Sequence, residues 1–452
     1  MSAILPPRAA PLREARALAQ LALPLVASQL SGIGMQVVDN VLAGHLGSRV
    51  LGATALGGNV YALALMAVLG VMLAVPPSVA QLDAAGRRGE VGPLFRQALY
   101  LALGLGAVLQ QALWWGGPAL VALSGVEPGI AGDAGAFLRA LSFGLPALGL
   151  VTACRGLSDG LSLPRPGMVV GFAGLALLVP VGYALMYGRL GLPSLGALGS
   201  GAATALVLWA EAAAFLLYLR LSARYRGLGW ERGERRPDPA ALLGLLRLGA
   251  PMAASVLLEV GMFSAVGLLI ARFGADAVAG HQLALNVAGV AFMVPLGLAM
   301  AITVRVGKAA GRGDATGVRS AGLVGIALTL LTQAVSCAAM VGVPGTIIAL
   351  YTGDPAVTAQ AVTLLGFAAL FQFSDGIQVA ANGALRGLKD ARVPVAITVL
   401  SYWGVGMPLG WALAFPGGMR APGLWIGLIA GLSCAAALLL LRFVGLSRRV
   451  RG

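Results

Sequence analysis

Charge of either sign is scarce in this sequence. Only 11% of its 452 residues are charged, 17 of them acidic, where an average soluble domain carries roughly 25%. With 58% hydrophobic residues and a mean hydropathy of +0.88, the composition excludes an ordinary soluble fold. Cysteine is limited to Cys154, Cys337 and Cys434, isolated in apolar stretches with no CxxC pair and no nearby histidine. That excludes a disulfide framework and a Cys/His metal site, and leaves them as small core residues. Lysine occurs only at Lys308 and Lys389, and neither lies in a GxxxxGK loop, so this chain hydrolyses no ATP. HExxH is also missing, which argues against an intramembrane metalloenzyme and leaves no cofactor to expect. An ion gradient remains as the energy source, worth about 2.3 kcal/mol per charge per 100 mV.

What is abundant is apolar sequence. A membrane-spanning helix needs about 20 mostly apolar residues, and twelve such windows fit the chain with short polar connections. The first, after the basic N-terminal "MSAILPPRAAPLREARALAQ", lacks a small-residue cleavage site and reads as a retained span rather than a signal peptide. In this twelve-span arrangement 26 of the 31 Lys and Arg fall on one side, including Arg8, Arg13, Arg16, Arg87, Arg88, Arg448, Arg449 and Arg451. Arg49, Arg189, Arg272 and Arg420 fall on the other, and Arg139 lies within a span. This is the positive-inside pattern, so both termini are expected to be cytoplasmic. The net charge of +14 therefore orients the protein and implies no nucleic-acid partner.

The chain repeats itself. "ARYRGLGWERGERRPDP", from Ala223 to Pro239, divides the spans six and six. The expected organisation is a bundle over residues 1–222, a cytoplasmic linker over 223–240 and a second bundle over 241–452. Shifting the sequence by 227 places Pro24 on Pro251, Gly34 and Met35 on Gly261 and Met262, Gly47 on Gly274, Asn59 on Asn286, and Gly70 on Gly297. "RGLSD" (Arg155 to Asp159) also recurs as "RGLKD" (Arg386 to Asp390), at a shift of 231. An even number of spans per half makes the halves parallel repeats about an axis along the membrane normal. Pro24 and Pro251 lie early in spans one and seven, where a missing N–H allows either a fixed kink or a hinge.

Four acids sit well inside spans: Asp39, Glu211, Glu259 and Asp375. Intramembrane carboxylates are costly to insert and mark functional sites by default. Glu259 aligns with Gly32 and Asp39 with Val266, so the acids of spans seven and one are offset by seven residues, about 10 Å along a helix. Such an acid can exchange a proton, or two can wrap a sodium ion with help from neighbouring oxygens. Around Glu259 and Asp375 the candidates are Ser255, Ser374, Gln378, Asn382 and Asn286. Glu211 lacks a matching polar site in the other repeat, and packing is the favoured role there, as it is for His281.

The stretches "LPLVASQLSGIGMQVVDNVLAG", "LLEVGMF", "HQLALN" and "FQFSDGIQVAANGALRGLKD" resemble the multidrug and toxic compound extrusion (MATE) transporters, especially their NorM-like branch. The resemblance covers essentially the whole chain. It implies an all-α membrane protein of twelve helices in two six-helix bundles around a V-shaped central cavity, working as a monomer in the bacterial inner membrane. It implies antiport of cationic amphipathic drugs against H⁺ or Na⁺, and hence antibiotic resistance. By the same resemblance Glu259 and Asp375 are the cation-site acids of the C-terminal bundle, with Na⁺ as the metal they would hold. Asp39 is the acid whose protonation bends span one at Pro24. The position where NorM-like members commonly carry tyrosine, one turn before Asp375, is Phe371, which lacks the hydroxyl and tilts the expectation towards protons. A lipid-linked saccharide flippase on the same superfold is the alternative; it should line its cavity with arginines, and only Arg139 is a candidate.

Overall fold

The computed structural model describes residues 9–123, 125–189, 191, 193–233 and 236–449. Arg8 and Arg451 of the charge bias, and Glu234 and Arg235 of the central polar stretch, lie outside them. The described residues are helical throughout, without a strand. The first half holds α1 (Ala9–Leu46), α2 (Ser48–Met72), α3 (Val75–Ala84), α4 (Val91–Ala122), α5 (Pro128–Ser142), α6 (Gly144–Gly160), α7 (Arg165–Tyr187) and α8 (Gly196–Leu221). The second holds α9 (Pro239–Ile270), α10 (Ala275–Gly311), α11 (Ala315–Gly342), the short α12 (Pro344–Ala349), α13 (Pro355–Gly387), α14 (Arg392–Thr398), α15 (Met407–Ala414) and α16 (Arg420–Ser447). Among the described residues eleven helical segments are long and apolar enough to cross a membrane. The bent pair α5 and α6 supplies the twelfth. Its 42° break follows from Pro146, which cannot donate to the Ser142 carbonyl one turn earlier.

The 227-residue repeat is written into the backbone. Gly47 and Gly274, just before α2 and α10, hold φ/ψ of 118°/165° and 104°/171°, a conformation closed to residues with a side chain. At the ends of α6 and α13, Ser162 and Lys389 both turn left-handed, at φ 63° and 58°. Gly156 and Gly160 of α6 fall on Gly383 and Gly387 of α13, and each packs against a neighbouring helix closely enough that a Cβ would need the neighbour to shift. These pairs all keep the 227 shift, which corrects the RGLSD/RGLKD equivalence. The two motifs are one helical turn out of register, and Arg386 stands where Asp159 does. Helix contacts fix register through small residues that let backbones approach, whereas an arginine is free to sit a turn away.

Two compact units result, one spanning Ala27–Ala253 and the other joining the chain before Ala27 to Ala254 onward. The divisions fall two residues after Pro24 and two after Pro251, inside the continuous helices α1 and α9. Within the first unit the start of α9 lies on α2, where Ala253 touches Gly70. Within the second, the start of α1 lies on α10 in the same manner: Val26 touches Gly297, and Glu14 takes Arg305 in a two-bond ion pair of 2.8 and 2.5 Å.

The central polar stretch folds onto the first unit. Tyr225 and Leu228 are buried, the Gly92 N–H donates to the Leu228 carbonyl at 2.7 Å, and the Tyr225 hydroxyl meets Ser158 at 3.0 Å. Burial pushes that phenol up to about 12. The core of this unit gathers Phe95, Phe137, Leu138, Leu145, Leu157 and Phe215.

Candidate functional site

On α13, Asp375, Gln378 and Asn382 are spaced three and four residues apart and so share one face; all three are buried. Glu259 on α9 meets that face, its Oε2 accepting from Gln378 Nε2 at 3.4 Å. The carboxylates of Glu259 and Asp375 lie within electrostatic range of each other. Ser255, one turn before Glu259, is buried alongside. Phe371, one turn before Asp375, stands edge-on to Phe263 and Trp425, at 5.8 and 6.1 Å between ring centres.

Two of the expected oxygens are engaged elsewhere. Asn286 is exposed on α10 and accepts from Gln282 of its own helix at 3.4 Å. Ser374 bonds to Ser433 of α16 at 2.6 Å.

The structure adds two groups that the sequence did not single out. Tyr402 is fully buried, within electrostatic range of both Glu259 and Asp375, with its hydroxyl beside the Gln378 side chain. It belongs to a π-helical stretch, Val399–Gly406, between α14 and α15. Such widened turns recur at functional sites, and this one returns a phenol to acids that Phe371 cannot serve. Arg386 is the second. It is 9% exposed, forms no hydrogen bond through Nε, and lies in the field of Glu259. No local spacing marks Tyr402 in "VLSYWGVG", and Arg386 was visible only as part of a repeated motif.

The other unit holds a separate acid. Asp39 on α1 accepts from Thr204 at 2.9 Å and from Ser200 at 3.5 Å, one turn apart on α8. Pro24 lies fifteen residues earlier in the same unbroken helix. Glu211, also on α8, is buried beside Gly174, with one carboxylate oxygen unpartnered and Arg155 in electrostatic range. His281 is buried edge-on to Trp425 at 5.7 Å, with neither ring nitrogen hydrogen-bonded. Arg139 is exposed near the end of α5 with its guanidinium 5.7 Å over Trp114.

Carboxyl groups held by amides and hydroxyls inside membrane-spanning helices, in a duplicated all-helical frame, are the setting for comparison with known proteins. The MatE family model matches residues 24–184 and again 251–412. The chain belongs to the MatE family. The two matches begin at Pro24 and Pro251, the residues that open the 227-residue repeat. This MatE chain is 46% identical over 437 residues to "Probable multidrug resistance protein NorM" of Xanthomonas campestris pv. campestris, covering 97% of this chain and 95% of that one. It is 39% identical over 440 residues to "Multidrug resistance protein PmpM" of Pseudomonas aeruginosa, covering 96% and 92%. The crystal structure of the eukaryotic MATE transporter AtDTX14 shares the fold, with a TM-score of 0.87 over 98% of this chain and 99% of that one at 22% identity. The chain is thus a multi-pass membrane protein of a transporter family.

Proposed function

We propose that this MatE protein exports cationic amphipathic drugs across the bacterial inner membrane by alternating access, in exchange for H⁺ or Na⁺, as a monomer with both termini cytoplasmic. The observation that carries this reading is the cluster of half-buried Glu259 with buried Asp375 and Gln378. Two carboxylates in each other's field repel unless a cation joins them. Gln378 and the Tyr402 hydroxyl beside it add hard oxygen donors of the kind such cations select. A proton on one carboxyl relieves the same repulsion. Support for the substrate class comes from the relatives, two of which are named as multidrug resistance proteins. Asp39, with its own hydroxyl donors on α8, serves in this reading as a second exchange site, whose protonation bends the helix that carries Pro24.

Purified protein in liposomes loaded with a fluorescent cationic drug tests this directly. Uphill movement is expected under an imposed sodium gradient or an imposed pH gradient; movement under neither would reject the proposal.

Arg386 makes a sharper prediction. Its guanidinium competes with the coupling cation for the field of Glu259. In Arg386→Gln the ion concentration for half-maximal efflux is therefore expected to fall by about fivefold or more, since a charge at several ångströms in a partly shielded interior is worth more than about 1 kcal/mol. A titration of efflux against the driving ion reads this, and an unchanged midpoint would show that Arg386 lies outside the cycle.

A further inference from the structure

Helices α7 and α8 lie side by side in the Ala27–Ala253 unit and leave a furrow of about 480 Å³ between them. Its floor is made of small residues one turn apart, Ala173 and Gly174 from α7 with Ala210 and Ala214 from α8, which is why two packed helices fail to close it. Val169 on its wall is 60% exposed, and the adjoining Leu206 and Leu217 of α8 are 57% and 56% exposed. Exposed apolar side chains on a membrane-spanning pair suit the acyl chains of lipid.

Polar groups are placed at its mouth and on its floor. Arg165, the first residue of α7, and Arg224, just past α8, line one end. Neither side chain forms an ion pair or hydrogen bond among the described residues. Glu211 lies deep on the floor, 5% exposed, with its Oε1 unpartnered. It precedes the end of α8 at Leu221 by ten residues, about 15 Å along the axis. A carboxylate at that depth repels any anionic group from the floor, while two unpaired guanidiniums at the mouth attract one. The molecule that satisfies both has its negative charge at the arginines and a neutral apolar body along the alanines.

We propose that this furrow binds an anionic phospholipid of the leaflet on the arginine-rich side, with the phosphate held by Arg165 and Arg224 and an acyl chain lying on the α7–α8 floor. Basic pockets between spanning helices on that side of a membrane select anionic headgroups. A cationic amphiphile seated on Glu211 fits less well, because Arg155 already stands in that acid's field and the mouth would repel it.

Native mass spectrometry of the full chain in detergent tests the assignment, with cardiolipin and phosphatidylethanolamine of matched acyl chains offered at equal concentration. Wild type is expected to retain cardiolipin roughly thirtyfold in preference, the worth of two arginines near a membrane surface. Arg165→Gln with Arg224→Gln should remove the preference, and Arg165→Lys with Arg224→Lys should keep most of it and show that the fold survives. Ala173→Trp, which fills the floor and leaves both arginines in place, should also remove it. No preference in wild type, or a preference unchanged by both the glutamine and the tryptophan variants, would overturn the proposal. Equal competition by glycerol phosphate would reduce the site to a free-anion site and also overturn it. Tetraphenylphosphonium binding that Glu211→Gln abolishes, while cardiolipin binding stays intact elsewhere, would hand the furrow to a cation.

Discussion

Asp375→Asn is expected to reduce gradient-driven efflux to the level of protein-free vesicles while leaving the protein folded and inserted. Asparagine keeps the size and hydrogen-bonding reach of aspartate but can neither lend a negative charge nor exchange a proton. Asp375 is 3% exposed and shares the field of Glu259, so its charge is useful only if a cation answers it. Taking a carboxylate out of a low-dielectric interior removes a desolvation cost, and the melting temperature in detergent is expected to hold or rise. Loss of transport with retained stability separates a working acid from a packing one. Glu259→Gln should behave alike, because Gln378 can donate its hydrogen bond to the new amide oxygen as it does to Oε2. Transport at wild-type rates in either variant would refute the cation-site reading.

Gly383→Val is expected to yield little or no monodisperse protein, for the opposite reason. A Cβ at Gly383 would sit 2.5 Å from the Ala299 carbonyl oxygen and 3.1 Å from its Cα, both backbone atoms of α10. Thr303 clamps the same crossing, donating to the Gly383 carbonyl at 2.8 Å and sharing that hydroxyl with Ala299 O at 2.9 Å. Backbone cannot swing aside as a side chain can, so α10 and α13 must part. Overpacking costs about 1 to 3 kcal/mol and more where backbone must move, a large share of the roughly 5 to 15 kcal/mol that holds a typical protein together. Gly366→Val lies on the same helix with nothing within 4 Å of its Cβ position, and it should express and melt as wild type does. Size-exclusion profiles and thermal melts of the two variants decide the matter; a well-folded Gly383→Val protein would show that the crossing can relax.

The pattern of apolar runs, the repeat and the intramembrane acids were legible in the chain because each depends on composition or spacing along one strand of sequence. Carboxylates stand out in hydrocarbon-length helices whatever surrounds them, so Asp39, Glu211, Glu259 and Asp375 needed no structure to be found. The hydroxyls and amides around them were harder to choose. Gln378 shares a helix face with Asp375 and bonds to Glu259, whereas Ser374 and Asn286, candidates by nearness in sequence or repeat position, bond elsewhere. Tyr402 could not be chosen at all, since a π-helical turn breaks the 3.6-residue periodicity from which a facing residue is counted.

By itself, then, the sequence determined that this protein spans a membrane as two tandem copies of one helical design with a few deliberate acids. Hydrophobic length and glycine spacing are one-dimensional properties, and they set those outcomes directly. Only the tertiary structure decided which side chains answer the acids. It put Arg386 in the field of Glu259, Thr204 and Ser200 on Asp39, and a phenol from a different helix where Phe371 offers none. It also showed that the copies keep a 227-residue register at their glycines while their arginines slip by a turn. Close backbone crossings tolerate no displacement, whereas a long charged side chain reaches its target from either of two turns.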